Sequence, residues 1–310
     1  MKYESIIKNI FIKHSVGNPA EVKFISAGSY GRVYKCRDEN NNCYALKIYF
    51  KENAAQSEYL SLKKLSQCTA IHIPDVYFYG FKTEEIPFEY LCMEFIDGKN
   101  AFMNLKLLFA SKKKKREFAD QVTDALIDIH KIHGDKFGNI DNTHYDNWID
   151  YYKNFAEDVY LKAVDKNKIK EFDRYVLKAM TKAISFFDEI FCDDISEPVL
   201  IHGDLNVMNI MVDRSLMPIA FIDPLNSIYA DREYDLFQLK NLTGNAFNLY
   251  KIYKEKYPVS KNCDIKCAFY SLFNEAKVYL DTGRYTKVIM IASILNIEKE
   301  LYLLNKKRNK

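Results

Sequence analysis

The stretch Val199-Leu200-Ile201-His202-Gly203-Asp204-Leu205-Asn206-Val207-Met208-Asn209 decides the fold, together with Ile210-Met211-Val212 and Ile219-Ala220-Phe221-Ile222-Asp223-Pro224 downstream. Three short apolar runs, 199–201, 210–212 and 219–222, read as buried strands, and Asp213 to Pro218 reads as the turn joining the last two. Asp204 then falls in the loop after the first strand, Asn209 at the start of the second and Asp223 at the end of the third. Polar groups at three strand ends can converge on one ion. An Asp, an Asn five positions later and a second Asp beyond a hairpin suit phosphoryl transfer from a nucleotide. That reaction is mostly positioning and charge neutralisation, and it needs hard oxygen ligands and one carboxylate near the nucleophile. In this arrangement Asp204 accepts the proton of an attacking hydroxyl, while Asn209 and Asp223 hold Mg2+ on the nucleotide phosphates. The competing reading is a plain hairpin with surface carboxylates. A lone Asp-x-x-x-x-Asn is common; the combined His-Gly-Asp-Leu, Asn and Ile-Asp pattern is rarer.

Upstream, Val22 to Lys35 reads as strand, glycine turn, strand, with Gly28, Ser29, Tyr30 and Gly31 in the turn and Val33 just beyond it. A glycine hairpin can lay backbone N–H groups over phosphates because nothing projects from Cα. Against G-x-G-x-x-G-x-V, positions 26 to 33 match at Gly28, Gly31 and Val33, and Ser26 replaces the first glycine. After the Asp38–Asn42 turn, Tyr44 to Tyr49 returns as a strand with Lys47 between apolar neighbours. Asn53 to Leu65 has a helical stripe of Ala54, Ala55, Leu62 and Leu65, and Glu58 lies on that same side. A carboxylate on an apolar stripe is costly unless paired. Lys47 is the economical partner, and the pair would aim Lys47 at the α/β-phosphates. Ile73 to Gly80 and Phe88 to Ile96 read as the remaining strands, and Asp97-Gly98 as the hinge that follows. Backbone groups from Glu94 to Ile96 are then placed to bind a purine.

The rest of the chain reads as helical. Lys112 to Arg116 opens a helix with five consecutive cations, read as a solvated face, and Phe118 to Ile132 carries its apolar stripe. His130 and His133 are expected at the surface or as caps. Gly134 to Asn139 reads as a loop, Trp148 as a core residue of an aromatic helix, and 166–191 as one long helix. Only a short loop separates Asp223 from the helix opened by Asp231-Arg232-Glu233-Tyr234-Asp235-Leu236. No activation segment ending in Ala-Pro-Glu intervenes, so the acceptor is expected to be small. Asp235 is expected to be a structural carboxylate bracing the catalytic loop.

Composition sets the outer bounds. The chain has 310 residues, 48% of them hydrophobic, which is enough for a two-lobed domain or two domains. A net charge of +3 makes no case for nucleic acid. Seven irregularly spaced cysteines without a Cys-x-x-Cys pair point to reduced thiols rather than a disulfide framework or zinc site. There is no secretory hydrophobic segment near Met1 and no 18-residue apolar run. These features lead us to expect a cytoplasmic protein, monomeric or homodimeric, without a membrane or nucleic-acid partner.

The assembled pattern resembles the aminoglycoside phosphotransferase superfamily, kinase-like enzymes that phosphorylate hydroxyls of small molecules. It is most similar to the fructosamine (ketosamine) kinases in His202 to Leu205, Asn209, Asp223-Pro224 and Asp231 to Leu236, in the Gly134 to Gly138 loop and in Tyr250 to Pro258. Asn206 stands where ketosamine kinases usually carry Trp. The resemblance implies a two-lobed, protein-kinase-like α+β fold. Its N-terminal lobe, residues 1–97, is a small antiparallel sheet with one helix, and residues 98–310 form a larger, mainly helical lobe. It also implies ATP as donor, with GTP the alternative, Mg2+, and a sugar-like acceptor. An aminoglycoside kinase and a nucleotide-binding pseudokinase are the rivals. Residues 236–310 hold more Lys and Arg than Asp and Glu, which disfavours a polycationic acceptor.

Overall fold

Turn chemistry cuts the first hundred residues into strands. Asp38 closes its own turn by accepting the Asn40 and Asn42 N–H groups through Oδ1 at 2.9 and 2.8 Å. The computed structural model describes residues 3–193, 195–224 and 227–308. In chain order it begins with α1 (Glu4–Lys13), β1 (Glu21–Ala27), β2 (Gly31–Arg37), β3 (Cys43–Tyr49), α2 (Ala54–Leu65), β4 (Val76–Gly80) and β5 (Glu89–Glu94). Next come β6 (Lys99–Asn100), α3 (Leu105–Leu108), α4 (Lys112–His130), β7 (Phe137–Asn139), β8 (Asn142–Tyr145) and α5 (Trp148–Lys168). The chain continues through α6 (Arg174–Ile184), α7 (Phe187–Ile190), β9 (Val199–Leu200), β10 (Ile210–Val212), β11 (Pro218–Phe221) and β12 (Ile228–Ala230). It closes with α8 (Glu233–Leu239), α9 (Leu242–Asn245), α10 (Leu249–Lys256), α11 (Cys263–Thr282) and α12 (Lys287–Arg308).

These elements form two compact units, residues 1–128 with 202–227, and residues 129–201 with 228–310. The first unit holds a five-stranded antiparallel sheet in the order β1-β2-β3-β5-β4 and a three-stranded sheet in the order β11-β10-β6. Leu46 and Ile48 of β3 are buried with Tyr34, Cys36, Tyr90 and Cys92 against Ile7, Ile10 and Phe11 of α1. Helix α1 has no counterpart in the sequence reading. Its apolar residues repeat at helical spacing but over only ten positions, too few to stand out from composition. α2 buries Ala54, Ala55, Glu58, Leu62 and Leu65.

In the second unit a four-stranded sheet, β8-β7-β12-β9, accompanies the helices. Its core is aromatic. Trp148 is fully buried, stacks on Tyr152 and donates its Nε1–H to the Tyr270 hydroxyl at 2.9 Å. Burial of the indole with its one donor satisfied is the expected structural role.

The structure corrects three expectations. Residues 166–191 are not one helix: α5 ends at Lys168 and α6 starts after Asp173, whose side chain accepts the Tyr175 and Val176 N–H groups as an N-cap. Gly134 to Asn139 is not all loop, because Phe137 to Asn139 pair with β8 and β12. His130 is not at the surface. It is fully buried, with Nδ1 at 2.8 Å from the Tyr253 hydroxyl and Nε2 at 3.1 Å from Asp235 Oδ2.

The remaining charges of the 231–235 motif are also held structurally. Asp231 and Glu233 each approach Lys266 Nζ at 2.7 Å, and all three are buried. Tyr270 donates to Asp231 at 2.9 Å and Ser260 Oγ to Glu233 at 2.8 Å. Arg232 stacks on Tyr257 with 4.1 Å to the ring centroid and donates to Tyr253 and the Pro258 carbonyl. Burying one ammonium against two carboxylates is tolerable only because these donors satisfy the remaining lone pairs.

Candidate active site

The loop between β9 and β10 is built by its own side chains. Gly203 has φ +84°, a left-handed conformation that glycine adopts without strain. It turns the chain so that the Asp204 N–H donates to His202 Nδ1 at 3.3 Å. Ser227 ties the start of the loop by donating to the His202 carbonyl at 3.0 Å. Asn206 caps the short 3-10 turn Val207–Asn209 by accepting the Met208 N–H at 2.9 Å.

Both oxygens of the half-buried Asp204 carboxylate are held by amides of this loop. Asn206 Nδ2 donates to Oδ1 at 3.2 Å, and Asn209 Nδ2 donates to Oδ2 at 3.1 Å and to the Asp204 carbonyl at 2.7 Å. Burial pushes the Asp204 carboxyl up to about 8, helped by the charge of Asp223 and opposed by the Asn206 and Asn209 amides and by Lys47. A carboxyl that gains and loses its proton near neutrality is suited to general-base work.

Asn209 and Asp223 are brought together by the β10–β11 pairing. The Ile222 N–H donates to the Asn209 carbonyl at 2.9 Å, which places the residue after Ile222 beside the loop. Asp223 has φ +62°, a left-handed conformation sparsely used outside glycine, and its side chain is about half exposed. Because the Asn209 Nδ2 is turned to Asp204, its amide oxygen faces away from that carboxylate. An amide oxygen and a carboxylate are the hard donors that Mg2+ accepts, the rest of its shell being water and phosphate oxygens. Among the described residues no group of three or more His, Cys, Asp or Glu could hold a metal, so a cation here would rely on those additional oxygens.

Lys47 joins this cluster from β3. Its Nζ lies 2.7 Å from Glu58 Oε2 and contacts Asp223 Oδ1. Burial disfavours the Lys47 ammonium, yet Asp223 and Glu58 outweigh burial and hold its pKa above the ordinary lysine value. Glu58 is fully buried, and burial raises its carboxyl although Lys47 pulls it down. Tyr49 is a member of this pair that the sequence reading missed: its hydroxyl donates to Glu58 Oε2 at 2.9 Å. Alternation along β3 puts Tyr49 two residues from Lys47 on the same face, and that was the available signal.

The glycine turn closes between β1 and β2 through Gly28 N–H to Gly31 carbonyl at 3.0 Å, and the Phe50 N–H holds the Tyr30 carbonyl at 2.8 Å. Gly31 is required by its neighbour strand, since a Cβ there would meet the Ile48 carbonyl oxygen at 2.2 Å. Ser29 is exposed beside it, and Val33 pairs with Lys47 across the β2–β3 ladder. At the far end of the sheet, the Glu94 N–H donates to the Asp75 carbonyl at 2.8 Å and the Ile96 carbonyl accepts the Gly98 N–H at 3.0 Å. Those two groups are engaged within the chain. Asn100, also missed, links the segment after β5 to the loop: its Nδ2 donates to the Met208 carbonyl.

Glu58, Lys47 and Asp223 thus form one contact series and Asn209 and Asp204 another, and the Ile222 N–H to the Asn209 carbonyl joins the segments that carry them. A profile of the fructosamine kinase family matches residues 5–296. The chain belongs to the fructosamine kinase family. Within reach of this fructosamine kinase homologue, the ketosamine-3-kinase of Mus musculus is 29% identical over 155 residues, which is 50% of this chain and 47% of that protein. The uncharacterized protein YcbJ of Escherichia coli is 26% identical over 175 residues, 55% of this chain. The match spans only 58% of the length of that curated relative. A solved structure described as a putative fructosamine-3-kinase from Thermobifida fusca is 15% identical, with a TM-score of 0.65 over 94% of this chain and 98% of that one. At that identity the likeness shows the fold.

Proposed function

We propose that this fructosamine kinase family member transfers the γ-phosphoryl group of ATP to a hydroxyl of a sugar-like acceptor of the ketosamine type. The observation that carries this reading is the contact of Asn209 Nδ2 with Asp204 Oδ2 at 3.1 Å, on a loop whose Asn209 carbonyl accepts the N–H of Ile222, the residue before the Asp223 that contacts Lys47. It supports a carboxylate base, two oxygen donors for a cation and a phosphate-binding lysine arranged around one point.

In this reading Asp204 orients the acceptor hydroxyl and takes its proton. Asn209 and Asp223 hold Mg2+, which when bound neutralises charge on the phosphates. Lys47, fixed by Glu58, binds the α/β-phosphates, and the turn Gly28-Ser29-Tyr30-Gly31 with Val33 covers them. The purine would use the Glu94 carbonyl and the Ile96 N–H, the backbone groups of that segment complementary to those already engaged. Residues 1–97 supply the nucleotide-binding portion and residues 98–310 the catalytic loop and acceptor site. The name of the mouse relative favours a ketosamine acceptor.

The test is Mg2+-dependent ADP release over a panel of fructosamines, ribulosamines, simple sugars and aminoglycosides, with Asp204→Ala as control. Turnover of a ketosamine that the control loses supports the reading. Turnover of an aminoglycoside alone replaces the acceptor class. Mg-ATP binding without turnover of any acceptor would favour a pseudokinase.

A further inference from the structure

Asn100 ends β6, the edge strand that pairs with β10 through Asn100 opposite Met211 and Lys99 opposite Val212. Its half-buried side chain makes three contacts. Oδ1 accepts the Phe102 N–H at 3.0 Å and the Met103 N–H at 3.2 Å, which turns the chain after β6. Two donors fix that end of the amide as oxygen, so the other end is NH2, and it donates to the Met208 carbonyl 108 positions away. The Ala101 N–H adds a bond to the Ile210 carbonyl at 2.8 Å. The segment is thus fastened to the catalytic loop at two carbonyls, one on either side of Asn209.

Met208 and Asn209 belong to the 3-10 turn Val207–Asn209, which is too short to satisfy its own carbonyls. Within the loop, Asn206 takes the Met208 N–H through its side chain and the Asn209 N–H through its carbonyl, both at 2.9 Å. The carbonyls of the turn take partners from outside it: Asn100 for Met208, and the Ile222 N–H at 2.9 Å for Asn209. The Met208–Asn209 peptide carries the amide that holds Asp204 Oδ2 at 3.1 Å. Turning that peptide would swing the Asn209 amide away from the carboxylate.

We propose that Asn100 is a positioning residue of the catalytic loop: by gripping the Met208 carbonyl it sets the Asn209 amide against Asp204. A residue that only closed its own turn would need the Oδ1 acceptor alone, and Asp would serve there equally well. The Met208 contact needs a donor, which an aspartate lacks. The contact lies near solvent, so water can take the place of the lost amide, and its removal tells on loop geometry and rate rather than on folding. The rate effect rests on the phosphotransfer reading of Asp204 and Asn209; the geometry of the loop does not.

The test compares Asn100→Asp, Asn100→Ala and, as a control in the same segment, Asn104→Ala, which removes the cap on the Leu107 N–H of α3. Steady-state kinetics is paired with hydrogen exchange of the backbone amides of the full chain. Both Asn100 variants should lower kcat about tenfold, with KM for nucleotide and acceptor within about twofold of the parent, and should speed exchange in 204–209. Exchange at Phe102 and Met103 should rise in Asn100→Ala alone, and Asn104→Ala should keep the parent's kcat. A parent-like kcat and loop exchange in Asn100→Asp overturns the proposal and leaves Asn100 as a turn residue. So does a raised nucleotide KM with kcat unchanged, which would make Asn100 a nucleotide contact. An equal fall of kcat in Asn104→Ala overturns it as well, assigning the effect to the stability of the segment. If the parent turns over no acceptor, the phosphotransfer reading fails and exchange in 204–209 decides alone: faster exchange in both Asn100 variants supports the grip on Met208, and unchanged exchange overturns it.

Discussion

Lys47 Nζ and Glu58 Oε2 lie 2.7 Å apart with both side chains buried, the lysine reaching from β3 and the glutamate from α2. Neither charge is tolerable there alone, so each fixes the other, and Tyr49 fixes the glutamate further. Lys47→Met should therefore act twice. It should lower kcat/KM by about 10²-fold through loss of phosphate stabilisation, and it should cost about 3–5 kcal/mol of stability by stranding Glu58. Steady-state kinetics with urea unfolding separates the two effects. A variant as stable as the parent would show that Glu58 does not depend on Lys47.

Asp204→Asn keeps the side chain's shape and removes its basicity. Its kcat should fall by about 10²–10⁴-fold with Mg-ATP affinity retained. Asp223→Ala should do the opposite first, abolishing the Mg2+ dependence of nucleotide binding in calorimetry. If both variants lose nucleotide equally, the division between base and metal ligand is wrong.

Asn206 holds Asp204 Oδ1 at 3.2 Å without any other evident task beyond its cap. In Asn206→Ala the carboxylate loses the amide that holds its Oδ1. We expect kcat to drop roughly tenfold, because a misplaced catalytic group is costly in rate, while KM for nucleotide stays put. An unchanged kcat would leave Asn209 as sufficient for orienting Asp204.

The Asp231–Lys266–Glu233 cluster makes a prediction about stability alone. Lys266→Met leaves two buried carboxylates without their cation and should cost about 3–5 kcal/mol. Thermal unfolding would show it as a large fall in Tm. A loss below about 1 kcal/mol would mean that Ser260 and Tyr270 satisfy the acids unaided.

Glu275 on α11 supplies a pH signature. Burial raises its carboxyl to about 7 from an ordinary value of 4.5. The folded chain therefore keeps a proton that the unfolded chain has released between these values. Its contribution to stability is full below about 4.5 and is lost as pH rises through 7. Glu275→Gln should gain on the order of 1–2 kcal/mol at pH 8 relative to the parent and nothing near pH 4. Urea midpoints at the two pH values decide it, and an equal effect at both would rule out titration as the cause.

Local signals were enough for the strands around Asp204, Asn209 and Asp223, for the glycine turn and for the side of α2 that carries Glu58. Apolar periodicity and turn residues are short-range properties, and a charged residue inside an apolar pattern announces that a partner is needed. They also showed that no long segment separates Asp223 from the 231–236 motif. The same signals failed where the answer depends on what arrives from elsewhere in the chain. His130 sits on a helix stripe and could face water or core equally well until Asp235 and Tyr253, more than a hundred residues away, supply its hydrogen bonds. Helix α1 is stable because β3 and β5 offer it a face, not because of its own ten residues. The contact of Lys47 with Asp223 across 176 positions of sequence was likewise decided by tertiary structure. Residue types and spacing determined which groups could do chemistry; the pairing of sheets and helices decided which of them meet, because burial leaves each polar group only the partners that the fold brings within reach.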